Sequence, residues 1–125
     1  MVFGSTKVFS GFAVPDLAAA RDFYGDTLGM DVDESDGLLT IHVAGGHDIV
    51  VYPKPDHAPA NFTILNFPVD DIDSVVDELT SRGVQFQRYE DFDQDEKGIA
   101  RDERGPAIAW FTDPAGNILS VIQAH

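Results

Sequence analysis

The chain has 125 residues, of which 43% are hydrophobic, and its 22 Asp or Glu outnumber 8 Lys or Arg to give a net charge of −14. This size and apolar content suit one globular domain, and the negative charge argues against nucleic acid as a partner because phosphates would be repelled. The absence of cysteine excludes disulfides, zinc–thiolate sites and cysteine nucleophiles. No apolar run reaches the roughly 18 residues of a membrane helix, and residues 1–7 lack an apolar signal core, so we expect a cytoplasmic protein without a membrane partner.

Residues 7–53 predict a βαβββ module. A strand over Val8 to Val14 leads to Asp16, a residue type that caps helix N-termini. The helix that follows has an apolar stripe at helical spacing and ends at Gly29, which accepts the left-handed backbone. Three further strands are predicted near residues 30–34, 38–43 and 49–52, with turns at 35–37 and 45–46.

Residues 61–123 repeat the pattern after a proline-rich linker over residues 53–60. Asp71 stands 55 positions after Asp16 and begins the second helix, which ends at Gly83. The repeat occurs only twice, so two fused modules that share a sheet fit better than a solenoid. Strands of the second module are predicted at residues 62–69, 84–89, 107–112 and 118–123.

The segment Asp113-Pro114-Ala115-Gly116-Asn117 predicts a type I turn that closes the last hairpin. With Phe23-Tyr24 and Leu28-Gly29 in the first module, it resembles the signature of the vicinal oxygen chelate superfamily, which includes glyoxalase-type lyases, extradiol dioxygenases and bleomycin resistance proteins. The resemblance implies an α+β fold in which two tandem βαβββ modules form a curved mixed sheet, with a concave pocket inside and the helices on the outer face. It also implies a single domain over residues 1–125 and assembly as a homodimer.

Metalloenzymes of that superfamily bind a divalent metal with one residue from the first and last strand of each module, and the last ligand is Glu. The corresponding residues here are Phe9, Val50, Ile64 and Ser120. Three of them have no lone pair to give, and a serine hydroxyl alone is a poor ligand. Because these four residues differ from the ligands of the metalloenzymes, we predict that the chain lacks this metal site and has no cofactor. The sequence leaves open whether His42, His47 and Asp48 form a displaced site, although surface histidines are the simpler interpretation.

Strand alternation places further side chains on the same face as those four positions. That face is mainly apolar with a few polar points, which is typical of a small-molecule pocket, and the alternative is a second filled core without a ligand. The negative charge favours a cationic ligand, and the aromatic side chains favour an aromatic one. The predicted ligand-binding residues are Phe9, Asp48, Val50, Tyr52, Ile64, Asn66, Arg101, Trp110 and Ser120.

An acidic insertion over residues 90–106 lengthens the second module by about 15 residues relative to the first. Its alternating aspartates suggest a calcium loop, but Glu96 stands where an EF-hand requires glycine. A loop of this length in a compact domain is usually functional or mobile. We predict that it covers the pocket as a lid through Phe92, Ile99 and Arg101.

Two functions of different classes are compatible with these features. The first is a metal-free protein that binds a small, partly apolar molecule, as in the bleomycin-resistance branch. The second is a glyoxalase-like or dioxygenase-like enzyme, a lyase or an oxidoreductase, with displaced metal ligands or none. Asp48, His42 and Arg101 are its available acids and bases, but they form no recognisable catalytic constellation, and the catalytic residues are unknown.

Overall fold

The computed structural model describes residues 2–103 and 105–124. Its strands form two hydrogen-bonded sheets, and the chain divides into two compact units, residues 1–57 and 58–125. The division falls inside the proline-rich linker, and the α+β class is confirmed. The shared sheet is not observed, since the described strands pair only within their own unit. No helix in the described part of the chain is long and apolar enough to cross a membrane.

The first unit has the predicted βαβββ order. Its strand order is β1-β4-β3-β2, in which β1 pairs with β4 in parallel and the other pairs are antiparallel. The first strand begins two residues later than predicted. The elements are β1 (Ser10–Val14), α1 (Leu17–Asp22), a π-helical turn (Phe23–Thr27), β2 (Asp31–Ser35), β3 (Leu38–Val43) and β4 (His47–Pro53).

The caps of α1 are those that the sequence predicts. The Asp16 side chain accepts hydrogen bonds from the N–H groups of Ala18 at 3.0 Å and Ala19 at 3.2 Å. The last turn is wider than predicted, because the N–H of Leu28 donates to the C=O of Phe23 in the i→i+5 pattern. Gly29 then ends the helical segment at a φ of +74°.

One face of the first sheet forms the core of this unit. The alternation of side chains along β3 and β4 directs four aliphatic residues to that face, and each contributes roughly 1.5–3 kcal/mol on burial. The fully buried Tyr24 brings the π-helical turn into the same core. The buried strand residues are Val14, Leu39, Ile41, Ile49 and Val51.

The second unit contains β5 (Thr63–Val69), α2 (Ile72–Ser81), β6 (Ile108–Thr112) and β7 (Ile118–Gln123). The strand order is β5-β7-β6, with β5 parallel and β6 antiparallel to the central β7. Asp71 caps α2 as predicted, because its side chain accepts from the N–H of Ser74 at 3.2 Å. The core of this unit includes Ile72, Val76, Phe111, Leu119 and Val121.

Residues 84–89 do not form the predicted strand. Among the described residues they have one bridge to β6, at Phe86. The side chain of Gln94 explains the difference: it accepts from the N–H of Tyr89 and donates to the C=O of Gln87, both at 2.8 Å. One side chain therefore satisfies backbone groups that a neighbouring strand would otherwise pair.

The turn between β6 and β7 is confirmed. One carboxylate oxygen of Asp113 accepts from the N–H groups of Ala115 and Asn117 at 2.9 Å, and the other accepts from the Asn117 side chain at 2.9 Å. Gly116 adopts a φ of +88°, which favours glycine. Because Asp113 and Asn117 are 4% and 2% exposed, this polar network is sealed from water.

Candidate functional site

In the first unit, the face of the sheet opposite its core carries a set of polar residues contributed by β2, β3 and β4. Cross-strand register decides which of them are neighbours, because residues paired across a sheet point to the same side. The register aligns Gly11, Val50, Thr40 and Asp33 in one row and Asp48, His42 and Asp31 in the next.

A depression of about 690 Å³ lies on this face, between the segment that precedes β1 and the β3–β4 turn. Three of the predicted ligand-binding residues line it: Phe9, Asp48 and Val50. Phe9 is 64% exposed, so its ring is accessible from solvent. Tyr52 is 43% exposed and lies further along β4, outside the lining. The complete lining is Thr6, Lys7, Val8, Phe9, Thr40, Gly45, Gly46, His47, Asp48 and Val50.

His42 lies between two carboxylates on the same face. Its Nε2 is 2.7 Å from Oδ2 of Asp33, and its Nδ1 is 3.0 Å from Oδ1 of Asp48. An ionised carboxylate only accepts hydrogen bonds, so both contacts are satisfied when both ring nitrogens carry protons. The hydrogen bond to Asp33, and then that to Asp48, raises the pKa of His42 above its ordinary value. When both of its ring nitrogens carry protons, His42 reduces the negative charge of this face.

The sequence left open a displaced metal site at His42, His47 and Asp48. Register brings His42 and Asp48 together, and the carboxylates of Asp33 and Asp48 lie within hydrogen-bond distance of the two ring nitrogens of His42. Within residues 2–103 and 105–124, no group of three or more His, Cys, Asp or Glu side chains is arranged to hold a metal ion. His42 and Asp48 therefore form a hydrogen-bonded pair, which is an ion pair when the imidazole is protonated.

In the second unit, three predicted ligand-binding residues lie in one row. Ser120 of β7 is paired with Asn66 of β5 on one side and with Trp110 of β6 on the other. The Ser120 hydroxyl donates to Oδ1 of Asn66 at 2.6 Å. Ser120 is fully buried, whereas Asn66 is exposed. Ile64 lies where the pairing of β5 with β7 shifts register, so it has no partner in the row.

The insertion covers Trp110. The ring of Phe92 lies 4.7 Å from the indole between centroids, and the ring of Tyr89 packs edge-on at 5.4 Å. Trp110 is consequently only 8% exposed, while Phe92 remains 50% exposed. Phe92 and Tyr89 therefore both limit access to the indole. The sequence predicted that Phe92 covers the pocket, but it gave no such role to Tyr89. The only signal for Tyr89 was its position as an aromatic residue at the end of the predicted strand over residues 84–89.

Two other residues of the insertion lie elsewhere than predicted. Arg101 does not turn toward the other predicted ligand-binding residues: its guanidinium donates to both carboxylate oxygens of Asp73 on α2, at 2.8 and 2.9 Å. This hydrogen-bonded cation holds the pKa of the Asp73 carboxyl below its ordinary value. Ile99 is fully buried, so it belongs to the core rather than to a lid surface. A second depression of about 530 Å³ lies in the insertion beside Phe92 and Arg101.

Each unit begins with a strand followed by a helix, and its sheet buries one face and leaves polar and aromatic residues on the other. These features define the class as an α+β protein of the glyoxalase fold. The chain belongs to the glyoxalase/bleomycin resistance protein/dioxygenase superfamily, whose family model matches residues 8–121. No curated protein matches it.

Solved structures support the fold along nearly the whole chain. A superfamily member from Sphaerobacter thermophilus is 25% identical, with 94% of this chain and 96% of that chain covered and a TM-score of 0.71. TnmS3, an antibiotic-binding protein from a Streptomyces species, is 24% identical over 97% and 98% of the chains, with a TM-score of 0.69. The fosfomycin resistance protein FosX from Listeria monocytogenes is 13% identical over 97% and 94%, with a TM-score of 0.74. At these identities the last two show the fold alone.

Proposed function

We propose that this chain is a metal-independent small-molecule binding protein, of the kind found in the bleomycin-resistance branch of the superfamily. The depression of the first unit is the observation that supports this most. Its lining combines an exposed aromatic ring, Phe9, with the aliphatic Val50 and the carboxylate of Asp48. Apolar walls with a few polar groups can bury a flat ligand and also orient it.

The charge of the site supports an aromatic or cationic ligand. Asp48 and Lys7 line the depression with opposite charges, and Asp31 and Asp33 add two further carboxylates to the same face of the sheet. The net charge of −14 adds a long-range attraction for cations. TnmS3 is an antibiotic-binding protein and FosX a resistance protein, which is compatible with a binding role for this chain. Homodimer assembly and a cytoplasmic location belong to the same proposal.

The experiment combines elemental analysis with ligand screening. We expect no stoichiometric divalent metal in the purified protein, and we expect aromatic and cationic compounds from a screen to raise the thermal unfolding midpoint. A ligand at about 100 times its Kd adds about 2.7 kcal/mol of stability. The stabilisation should be the same before and after treatment with a chelator. Stoichiometric zinc, nickel, manganese or iron whose removal abolishes the stabilisation would favour the metal-dependent enzyme instead.

Matched variants locate the binding. Phe9→Ala and Asp48→Asn should weaken binding, because they remove the ring and the charge from the depression. Phe62→Ala is the control: Phe62 has the same 64% exposure as Phe9 but lies outside that depression. Equal losses in Phe9→Ala and Phe62→Ala would mean that the ligand does not use the depression of the first unit.

A further inference from the structure

The hydrogen bond between Ser120 and Asn66 crosses the exposed face of the second sheet. Ser120 is on the central strand and is fully buried, so its hydroxyl has no access to water. It donates to Oδ1 of Asn66 at 2.6 Å, and Asn66 has no other side-chain hydrogen bond within residues 2–103 and 105–124. A buried hydroxyl is thus satisfied by an exposed carboxamide.

This contact decides which way the carboxamide points. The buried hydroxyl donates to the carbonyl oxygen of Asn66, so this oxygen rather than the NH₂ group faces Ser120. The NH₂ group then faces away from Ser120 with two N–H donors unused. The pair holds a hydrogen-bond donor in a defined orientation at the exposed end of this row.

The surroundings of that donor are uncharged. The described residues of β5, β6 and β7 that share its face include no Asp, Glu, Lys or Arg. An anion would be disfavoured by the net charge of −14, and a cation would meet the NH₂ donors of Asn66 rather than a free carboxylate. An uncharged oxygen acceptor on an apolar group fits best. The apolar members of this face are Pro68, Ile108, Trp110, Ile118 and Ile122.

We propose that Asn66 is a specificity-determining residue that donates to a carbonyl-type oxygen of the bound molecule, and that Ser120 is the positioning residue that orients it. This rests on the proposed small-molecule binding and concerns a contact made on the second unit by itself, for which it names the chemical group that is selected. Ser120 occupies the strand position at which the related metalloenzymes carry Glu, so an orienting hydroxyl stands in the place of a ligand carboxylate.

The test uses two probes of similar shape, 2-acetylnaphthalene, which has a carbonyl oxygen, and 2-ethylnaphthalene, which has none. Affinity is read from amide shifts of the β5 and β7 strands in ¹⁵N–¹H correlation spectra of the whole chain. We expect the ketone to bind on the order of fivefold more tightly than the hydrocarbon, in line with one net hydrogen bond. The side-chain NH₂ signals of Asn66 should shift with the ketone only.

The variants separate recognition from folding. Asn66→Ala should abolish the preference for the ketone while leaving the affinity for the hydrocarbon unchanged. Ser120→Ala should reduce the preference and bring the two NH₂ signals of Asn66 toward averaging, and Ser120→Thr should restore both. Thr112→Val is the control, since it removes a hydroxyl from the same face without touching the pair.

The results test separately the role of Asn66, the role of Ser120 and the proposed function. Equal affinity of the two probes for the unmodified chain, or a preference that survives in Asn66→Ala, overturns the role of Asn66 and leaves small-molecule binding intact. A preference that Ser120→Ala does not change overturns the positioning role. If neither probe binds up to its solubility limit and the screen finds no other ligand, the proposed function fails and this inference fails with it.

Discussion

His42 links the stability of the first unit to pH because its two contacts need two protons. A neutral imidazole has one N–H and one lone pair, so it can donate to Asp33 or to Asp48 but not to both. The charged groups that face the ring are Asp31 and Asp33 from β2 and Asp48 from β4, all of which favour the protonated form.

We expect the stabilisation by His42 to be lost as the pH rises. The pKa of His42 is raised in the folded state, so the contribution is fully present below the ordinary value of 6.5 and disappears as the pH passes the higher folded-state value. Urea unfolding at a series of pH values, with an NMR titration of the imidazole, measures this. Asp33→Asn with Asp48→Asn should flatten the dependence, whereas Asp36→Asn, in the β2–β3 turn, should not. An NMR pKa at or below 6.5 in the folded chain would contradict the argument.

Asp113 is the second residue with a clear energetic role. Asp113→Ala would leave the N–H groups of Ala115 and Asn117 without their acceptor in a buried turn, so we expect a loss of roughly 2–4 kcal/mol in the free energy of unfolding. Denaturant unfolding measures it. The exposed Asp93 serves as the control, and Asp93→Ala should change stability by less than about 0.5 kcal/mol. Similar values for the two variants would show that the turn is not energetically important.

At the scale of elements, the insertion is a folded structure rather than a loose flap. Oδ1 of Asp95 accepts from the N–H groups of Lys97 and Ile99 at 2.9 Å, which closes a tight internal turn. Arg101 and Lys97 connect the segment to Asp73 of α2. Asp95 therefore has a structural role, and removing the whole segment would also remove the buried Ile99 from the core.

The lid prediction consequently concentrates on Phe92, which packs on Trp110 while half exposed. We expect Phe92→Ala to shift the fluorescence of the single tryptophan to longer wavelength and to weaken ligand binding several-fold, as expected for the loss of one aromatic contact. Amides of the insertion should also exchange more slowly when ligand is bound. Asp93→Ala is the matched control within the same segment. An affinity and an exchange pattern that Phe92→Ala leaves unchanged would end the lid hypothesis.

At the scale of the whole molecule, exposed apolar side chains support the predicted homodimer. Soluble monomers rarely leave a large contiguous apolar patch open to water, and Val8 and Phe9 are neighbours in the chain that are both exposed. We expect light scattering to give twice the chain mass of 13.6 kDa over a wide concentration range. Val8→Asp and Phe62→Asp test whether apolar residues of either unit lie in the interface, and a monomer at high concentration would refute the prediction. The exposed large apolar residues are Val2, Phe3, Val8, Phe9, Leu38, Tyr52, Phe62 and Phe92.

The sequence by itself determined the features that depend on neighbours along the chain. The N-cap residues Asp16 and Asp71 and the turn at Asp113 were predictable because a few local hydrogen bonds stabilise each of them. The faces of the strands were predictable because side chains alternate at a period of two. The family followed from the turn at Asp113 together with the repeat, in which Asp71 stands 55 residues after Asp16.

Tertiary structure alone decided which distant side chains meet. Arg101 binds Asp73, 28 residues away. The side chain of Gln94 forms hydrogen bonds with backbone groups of the segment that the sequence predicts as a strand. Both outcomes reflect a competition between partners of similar strength, which periodicity and composition do not resolve. The same holds for His42, whose neighbours are set by the register of three strands. Local physics therefore determined the elements, whereas the chemistry of the exposed faces depended on contacts that exist only once the sheets have formed.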